Sequence, residues 1–72
     1  MDHYKEYDRL LEIIGRENIE ILYYQSKSDS VFDYSNIKIE YLSTGKCYFG
    51  ETYNTQIENA VHALQQVFND LE

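Results

Sequence analysis

Ile37-Lys38-Ile39-Glu40-Tyr41-Leu42-Ser43-Thr44-Gly45-Lys46-Cys47-Tyr48-Phe49-Gly50 is the stretch on which the fold turns. Its first half alternates apolar and polar residues, the signature of a half-buried strand, with Ile37, Ile39 and Tyr41 facing one way. Ser43-Thr44-Gly45 fits a three-residue hairpin loop with Gly45 in the left-handed position, which glycine adopts without steric cost. A third strand follows from Lys46 to Thr52. Register depends on the loop. Three loop residues pair Leu42 with Lys46 and set Tyr41 opposite Cys47 and Ile39 opposite Phe49, whereas a two-residue turn would set Ile39 against Gly50. The three-residue loop assembles one apolar face and leaves Leu42 and Tyr48 on the other.

Upstream, Ile19-Glu20-Ile21-Leu22-Tyr23-Tyr24 is rich in β-branched and aromatic residues, with Ile19, Ile21 and Tyr23 on one face, and reads as the first strand. Lys27-Ser28-Asp29-Ser30 reads as a turn. The second strand is fixed over Ile37 to Leu42 and at its longest begins at Val31, which adds Phe32 and Tyr34 to the sheet. Tyr4, Tyr7, Leu10, Leu11 and Ile14 recur at spacings of three and four, so a helix is predicted from Asp2 to Ile14, ended by Gly15 in a left-handed cap. On its outer face Lys5, Arg9 and Arg16 form a stripe flanked by Asp2, Glu6, Asp8 and Glu12, a solvated and ion-paired surface. Downstream, Thr55-x-x-Glu58 is a capping box, and Ile57, Ala60, Val61, Leu64, Val67, Phe68 and Leu71 make an apolar stripe over a second helix. Proline, low-complexity runs and internal repeats are all absent from the sequence, so residues 1–72 are expected to form a single domain. The expected class is α+β in the order α-β-β-β-α, a three-stranded antiparallel sheet with two helices packed on one face. The helix-facing side collects Ile19, Ile21, Tyr23, Ile37, Ile39, Tyr41, Cys47 and Phe49; the open side holds Leu22, Tyr24, Leu42 and Tyr48 beside Glu20, Lys38 and Glu40.

Charge narrows the partners. The 72 residues carry thirteen Asp and Glu against six Lys and Arg, a formal charge of −7. Such a surface gains nothing from phosphate neutralisation, the term that dominates nucleic-acid affinity, so direct nucleic-acid binding is not expected and a basic protein surface is. From Cys47 onward there are Glu51, Glu58, Asp70 and Glu72 and no basic residue, which leaves unneutralised negative charge there. A chain of this size buries only roughly 60% of its unfolded surface, enough for one thin core and no enclosed substrate cavity. Its single cysteine excludes an internal disulfide. Met1-Asp2-His3 opens no signal peptide and no apolar run approaches about 18 residues, so a cytoplasmic location without membrane contact is expected.

Residues that could carry chemistry are few. His3 and His62 are the only histidines and find no partner in the sequence pattern, and without His-x-x-x-His or Cys-x-x-Cys spacing neither a metal site nor a cofactor is expected. Cys47 points into the core as an inert thiol. Gly45-Lys46 lacks the glycine-rich lead and the following Ser or Thr of a phosphate loop. Carboxylates abound, but a general acid or base needs a desolvating cleft to shift its pKa, so no enzymatic activity is expected.

The α-β-β-β-α order, together with Phe32, Ile37, Ile39, Gly45, Gly50 and the closing helix, resembles a double-stranded-RNA-binding domain across nearly the whole chain. That family opens its last helix with a Lys-Lys-x-x-Lys-type cluster, where this chain reads Asn54-Thr55-Gln56-Ile57-Glu58. The resemblance therefore implies a related fold without the family's contacts to phosphates and 2′-hydroxyls. In size, acidity and element content the chain is also similar to small phage inhibitors such as anti-CRISPR proteins and inhibitors of uracil-DNA glycosylase. That likeness implies carboxylates standing in for phosphates in a basic cleft, in the host cytoplasm if the chain is phage-encoded. The expected function is a non-enzymatic inhibitor or regulator of a basic nucleic-acid-processing protein, with partner-binding residues Glu20, Leu22, Tyr24, Glu40, Leu42, Tyr48, Glu51 and Glu58. The alternative is a structural homodimer or assembly module that uses the open aromatic sheet face.

Overall fold

A computed structural model describes residues 2–25 and 35–71. The elements are α1 (His3–Ile14), a short 3-10 turn (Arg16–Asn18), β1 (Ile19–Tyr24), β2 (Asn36–Tyr41), β3 (Lys46–Gly50) and α2 (Gln56–Leu71). The strands form one antiparallel sheet in the order β1-β2-β3. The α-β-β-β-α order and α+β class are as the sequence pattern requires. The turn at 27–30 and the extension of the second strand to Val31, with Phe32 and Tyr34, lie outside the described residues.

Local chemistry sets the ends of α1. The N–H groups of Tyr4 and Lys5 donate to Asp2 Oδ1 at 3.0 and 3.2 Å, satisfying two amides that the helix leaves without partners. At the other end Gly15 takes φ +93°, and its N–H donates to the Leu11 carbonyl at 2.8 Å. Its ψ of 118° lies outside the left-handed helical well, so the chain leaves the helix extended and enters the 3-10 turn. Asn18 Nδ2 reaches back to the Ile14 carbonyl at 2.8 Å. Arg16 therefore sits beyond α1, while Arg9 pairs with Glu6 on its outer face, with Nε 3.0 Å from the carboxylate. At the start of α2 the Glu58 N–H donates to Thr55 Oγ1 at 3.3 Å, and the Thr55 hydroxyl donates to the Glu58 carboxylate at 2.8 Å.

Leu10, Leu11 and Ile14 of α1, Ile19, Ile37, Ile39 and Tyr48 of the sheet, and Ala60, Ala63, Leu64 and Val67 of α2 form one buried cluster. α2 lies over β2 and β3, and α1 packs along α2. The buried line of α2 is turned slightly from the expected stripe: Asn59 and Ala63 are fully buried, Ile57, Val61 and Phe68 are half-buried, and Leu71 is exposed. Small side chains at Ala60 and Ala63 bring the helix axis close to its neighbours, while Leu64 and Val67 fill the space between layers.

The β2–β3 register differs from the expected one by a residue. Tyr41 pairs with Lys46, Ile39 with Tyr48 and Ile37 with Gly50, so the loop has four residues, Leu42–Gly45. Gly45 does take a positive φ, +75°, and its N–H closes the loop on the Tyr41 carbonyl at 2.8 Å. A one-residue slip sends every side chain of a strand to the opposite face. Tyr48, expected on the open side, is thus in the core at 8% exposure, while Phe49 and Cys47, expected in the core, face outward. The cause is α2. A Cβ on Gly50 would stand 2.0 Å from the Asn59 carbonyl oxygen, so only glycine can face the helix at this position, and the register follows the glycine.

Candidate partner-binding site

The face of the sheet away from the helices is built by alternation. In β1 and β2 the residues that alternate with the core-facing isoleucines are Glu20, Leu22 and Tyr24, then Asn36, Lys38 and Glu40, of which Asn36 is buried; in β3 they are Cys47 and Phe49. Pairing aligns them in cross-strand rows. Glu20, Glu40 and Cys47 form one row, Leu22, Lys38 and Phe49 the next, and Tyr24 with Asn36 the third. Leu22 and Phe49 remain 55% and 46% exposed, and the half-buried Lys38 runs between them. Among the described residues no helix or strand packs against this side.

Carboxylates lie at both ends of the apolar row. Glu20 and Glu40 are direct cross-strand partners, an arrangement of like charges that costs stability in an isolated sheet and that a cation from outside relieves. With Leu22 and Lys38 they line a hollow of about 150 Å³. At the other end of the face Glu51 acts on the Tyr24 hydroxyl; burial first, and the Glu51 carboxylate second, push the phenol up to about 12, so Tyr24 is neutral at physiological pH.

Five of the eight residues expected to bind a partner meet here: Glu20, Leu22, Tyr24, Glu40 and Glu51. Leu42 is exposed in the β2–β3 loop, at the end of the sheet. Tyr48 and Glu58 belong to the helix side. The position assigned to Tyr48 is occupied by Phe49, which sequence patterning missed because the slip of register exchanges the two. Cys47 is half-buried on the open side opposite Glu40 instead of in the core.

The acidic surface after Cys47 is less bare than its composition implies. Lys46, just before it, places Nζ 2.5 Å from Asp70 Oδ2 and 5.3 Å from the centre of the Tyr48 ring, and the Tyr48 hydroxyl donates to the same oxygen at 2.8 Å. Lys46 first and Tyr48 second hold the Asp70 carboxyl below its ordinary range. The two histidines, unpartnered in the sequence pattern, also converge. His3 Nε2 lies 4.0 Å from Glu58 Oε2, and His62 stands edge-on to Tyr53 with ring centres 5.5 Å apart. Among the described residues no group of three or more His, Cys, Asp and Glu is arranged to hold a metal ion, and no helix is long and apolar enough to cross a membrane.

The chain matches no protein-family model and no curated protein sequence.

Proposed function

We propose that the chain is a non-enzymatic protein-binding module whose uncovered sheet face docks on a basic surface of a nucleic-acid-processing protein and thereby inhibits or regulates it. One observation carries this reading: Leu22 and Phe49 stand exposed on either side of Lys38, with Glu20 and Glu40 in the next row on one side and Glu51 beyond the end of β3 on the other. An apolar centre with a charged rim is the anatomy of a protein interface. Three carboxylates against one ammonium make the face complementary to a cationic partner, and surfaces that handle nucleic acid are cationic because they neutralise phosphates. The same imbalance disfavours self-association, since two copies face to face would oppose their carboxylates.

Affinity capture from cells that encode the chain tests this, with wild type and the double variant Leu22→Ser/Phe49→Ser as paired baits. The expected result is a basic nucleic-acid-binding protein retained by wild type, lost by the variant and released by raised salt. Identical proteins on both baits would refute the sheet-face interface. A salt-insensitive dimer of the purified chain, dissociated by the same substitutions, would assign the face to a second copy instead.

A further inference from the structure

A second recessed surface lies in the other layer of the molecule, where the first two turns of α1, the end of β1 and the start of α2 meet. It is a cleft of about 330 Å³ lined by Tyr4, Tyr7 and Tyr23 together with Asp8, Gln56, Ile57 and Ala60. The three tyrosines come from two elements far apart in sequence. Tyr4 is 69% exposed and Tyr23 is 43% exposed although it sits on the helix-facing side of its strand, so two large rings are left uncovered on either side of one recess. Tyr7 is half-buried in the same recess, and burial first, with the neighbouring Tyr23 second, raises its phenol above the ordinary value.

We propose that this cleft receives an arginine side chain of a protein partner. Aromatic faces carry negative potential and attract cations placed within about 6 Å of the ring centre, and a planar guanidinium stacks on them as well. Among the described residues of the lining Asp8 supplies the only formal charge, and it is negative. Arg16 acts on Tyr7 from outside the lining and leaves the recess itself without a cation. An anion drawn to the first turn of α2 would find that turn already capped by Thr55 and Glu58. The net charge of −7 raises the local concentration of any cationic segment that approaches. The site is independent of the sheet face: a partner that reaches both would have to wrap an edge of the molecule, and either surface can fail without the other.

Amide-resolved NMR titration of the full chain with acetyl-Gly-Arg-Gly-amide tests the assignment, with the Lys and Gly counterparts as controls. The expected result is a saturable set of shifts confined to residues 4–8, 23–24 and 56–60, present with the Arg peptide and weaker with Lys. Tyr4→Leu and Asp8→Asn alter exposed side chains and leave the fold intact; each should weaken the Arg peptide by roughly threefold or more. Leu22→Ser/Phe49→Ser should leave it unchanged. Shifts no larger than those of the Gly peptide, shifts spread over the whole acidic surface, or shifts that survive Tyr4→Leu combined with Tyr23→Leu would overturn the site. Equal affinity for Lys would overturn its selectivity for guanidinium.

Discussion

Asn59 is a polar residue in the middle of an otherwise apolar helix face, and it is fully buried. Its Nδ2 donates to the Ser35 carbonyl at 2.6 Å and to the Tyr53 carbonyl at 3.0 Å, and its Oδ1 accepts from the Tyr53 N–H at 2.8 Å. One side chain thus satisfies backbone groups just before β2 and just after β3, at one end of the sheet. Asn59→Leu would leave the buried Ser35 carbonyl without this partner and remove both bonds to the Tyr53 backbone, and the expected loss is about 1–3 kcal/mol of stability in urea denaturation. Asp70 gives a second expectation, in pH. Its carboxyl is held low by Lys46 and Tyr48, so the stabilisation is present above the ordinary carboxylate range and is lost as pH falls through the folded value. Wild type should therefore melt higher than Asp70→Asn near neutrality, by a small amount because the pair is solvent-screened, and the gap should close on acidification. A gap that stays constant with pH would mean that the carboxylate charge is not the source.

The strands and helices show why some of the structure is legible in sequence and some is not. α2 is legible because Thr55-x-x-Glu58 and a repeating apolar stripe are local signals. The outward faces of β1 and β2 are legible for the same reason: alternation puts Glu20, Leu22, Tyr24 and Glu40 on one side whatever pairs with them. The register of β3 is not local. Loops of three and of four residues both accommodate Gly45 at positive φ and both build an apolar face, and what separates them is the approach of Asn59 to Gly50 from an element beyond the hairpin. Asn59 itself reads as surface until its partners, Ser35 and Tyr53, are brought to it by the fold. Tyr48 and Phe49 test the register directly. Tyr48→Ser should cost about 3–5 kcal/mol, as for loss of a buried aromatic ring, while Phe49→Ser should stay near the roughly 0.5 kcal/mol typical of surface changes. The opposite ranking of melting temperatures would restore the three-residue loop. Leu64, at the centre of the buried line of α2, should cost about 2–5 kcal/mol on truncation to Ala.

For the molecule as a whole, the helices and the inner sheet face supply the core, and on the proposed function the outer sheet face is the one that meets a partner. The double-stranded-RNA-binding resemblance concerns element order alone, since the start of α2 carries no Lys or Arg. Gel retardation with duplex RNA or duplex DNA at about physiological salt should show no complex. A field that repels polyanions favours a cationic protein, and on the proposed function the exposed Leu22 and Phe49 would give that encounter an apolar contact to close on. The most direct test is the affinity of the captured partner for wild type and for Leu22→Ser/Phe49→Ser, measured by calorimetry at two salt concentrations, with melting temperature as the control for folding. The melting temperature should be unchanged, the affinity should fall by at least about tenfold, and wild-type binding should weaken at the higher salt. A folded double variant that keeps its full affinity would contradict the proposal and place the interface away from the sheet.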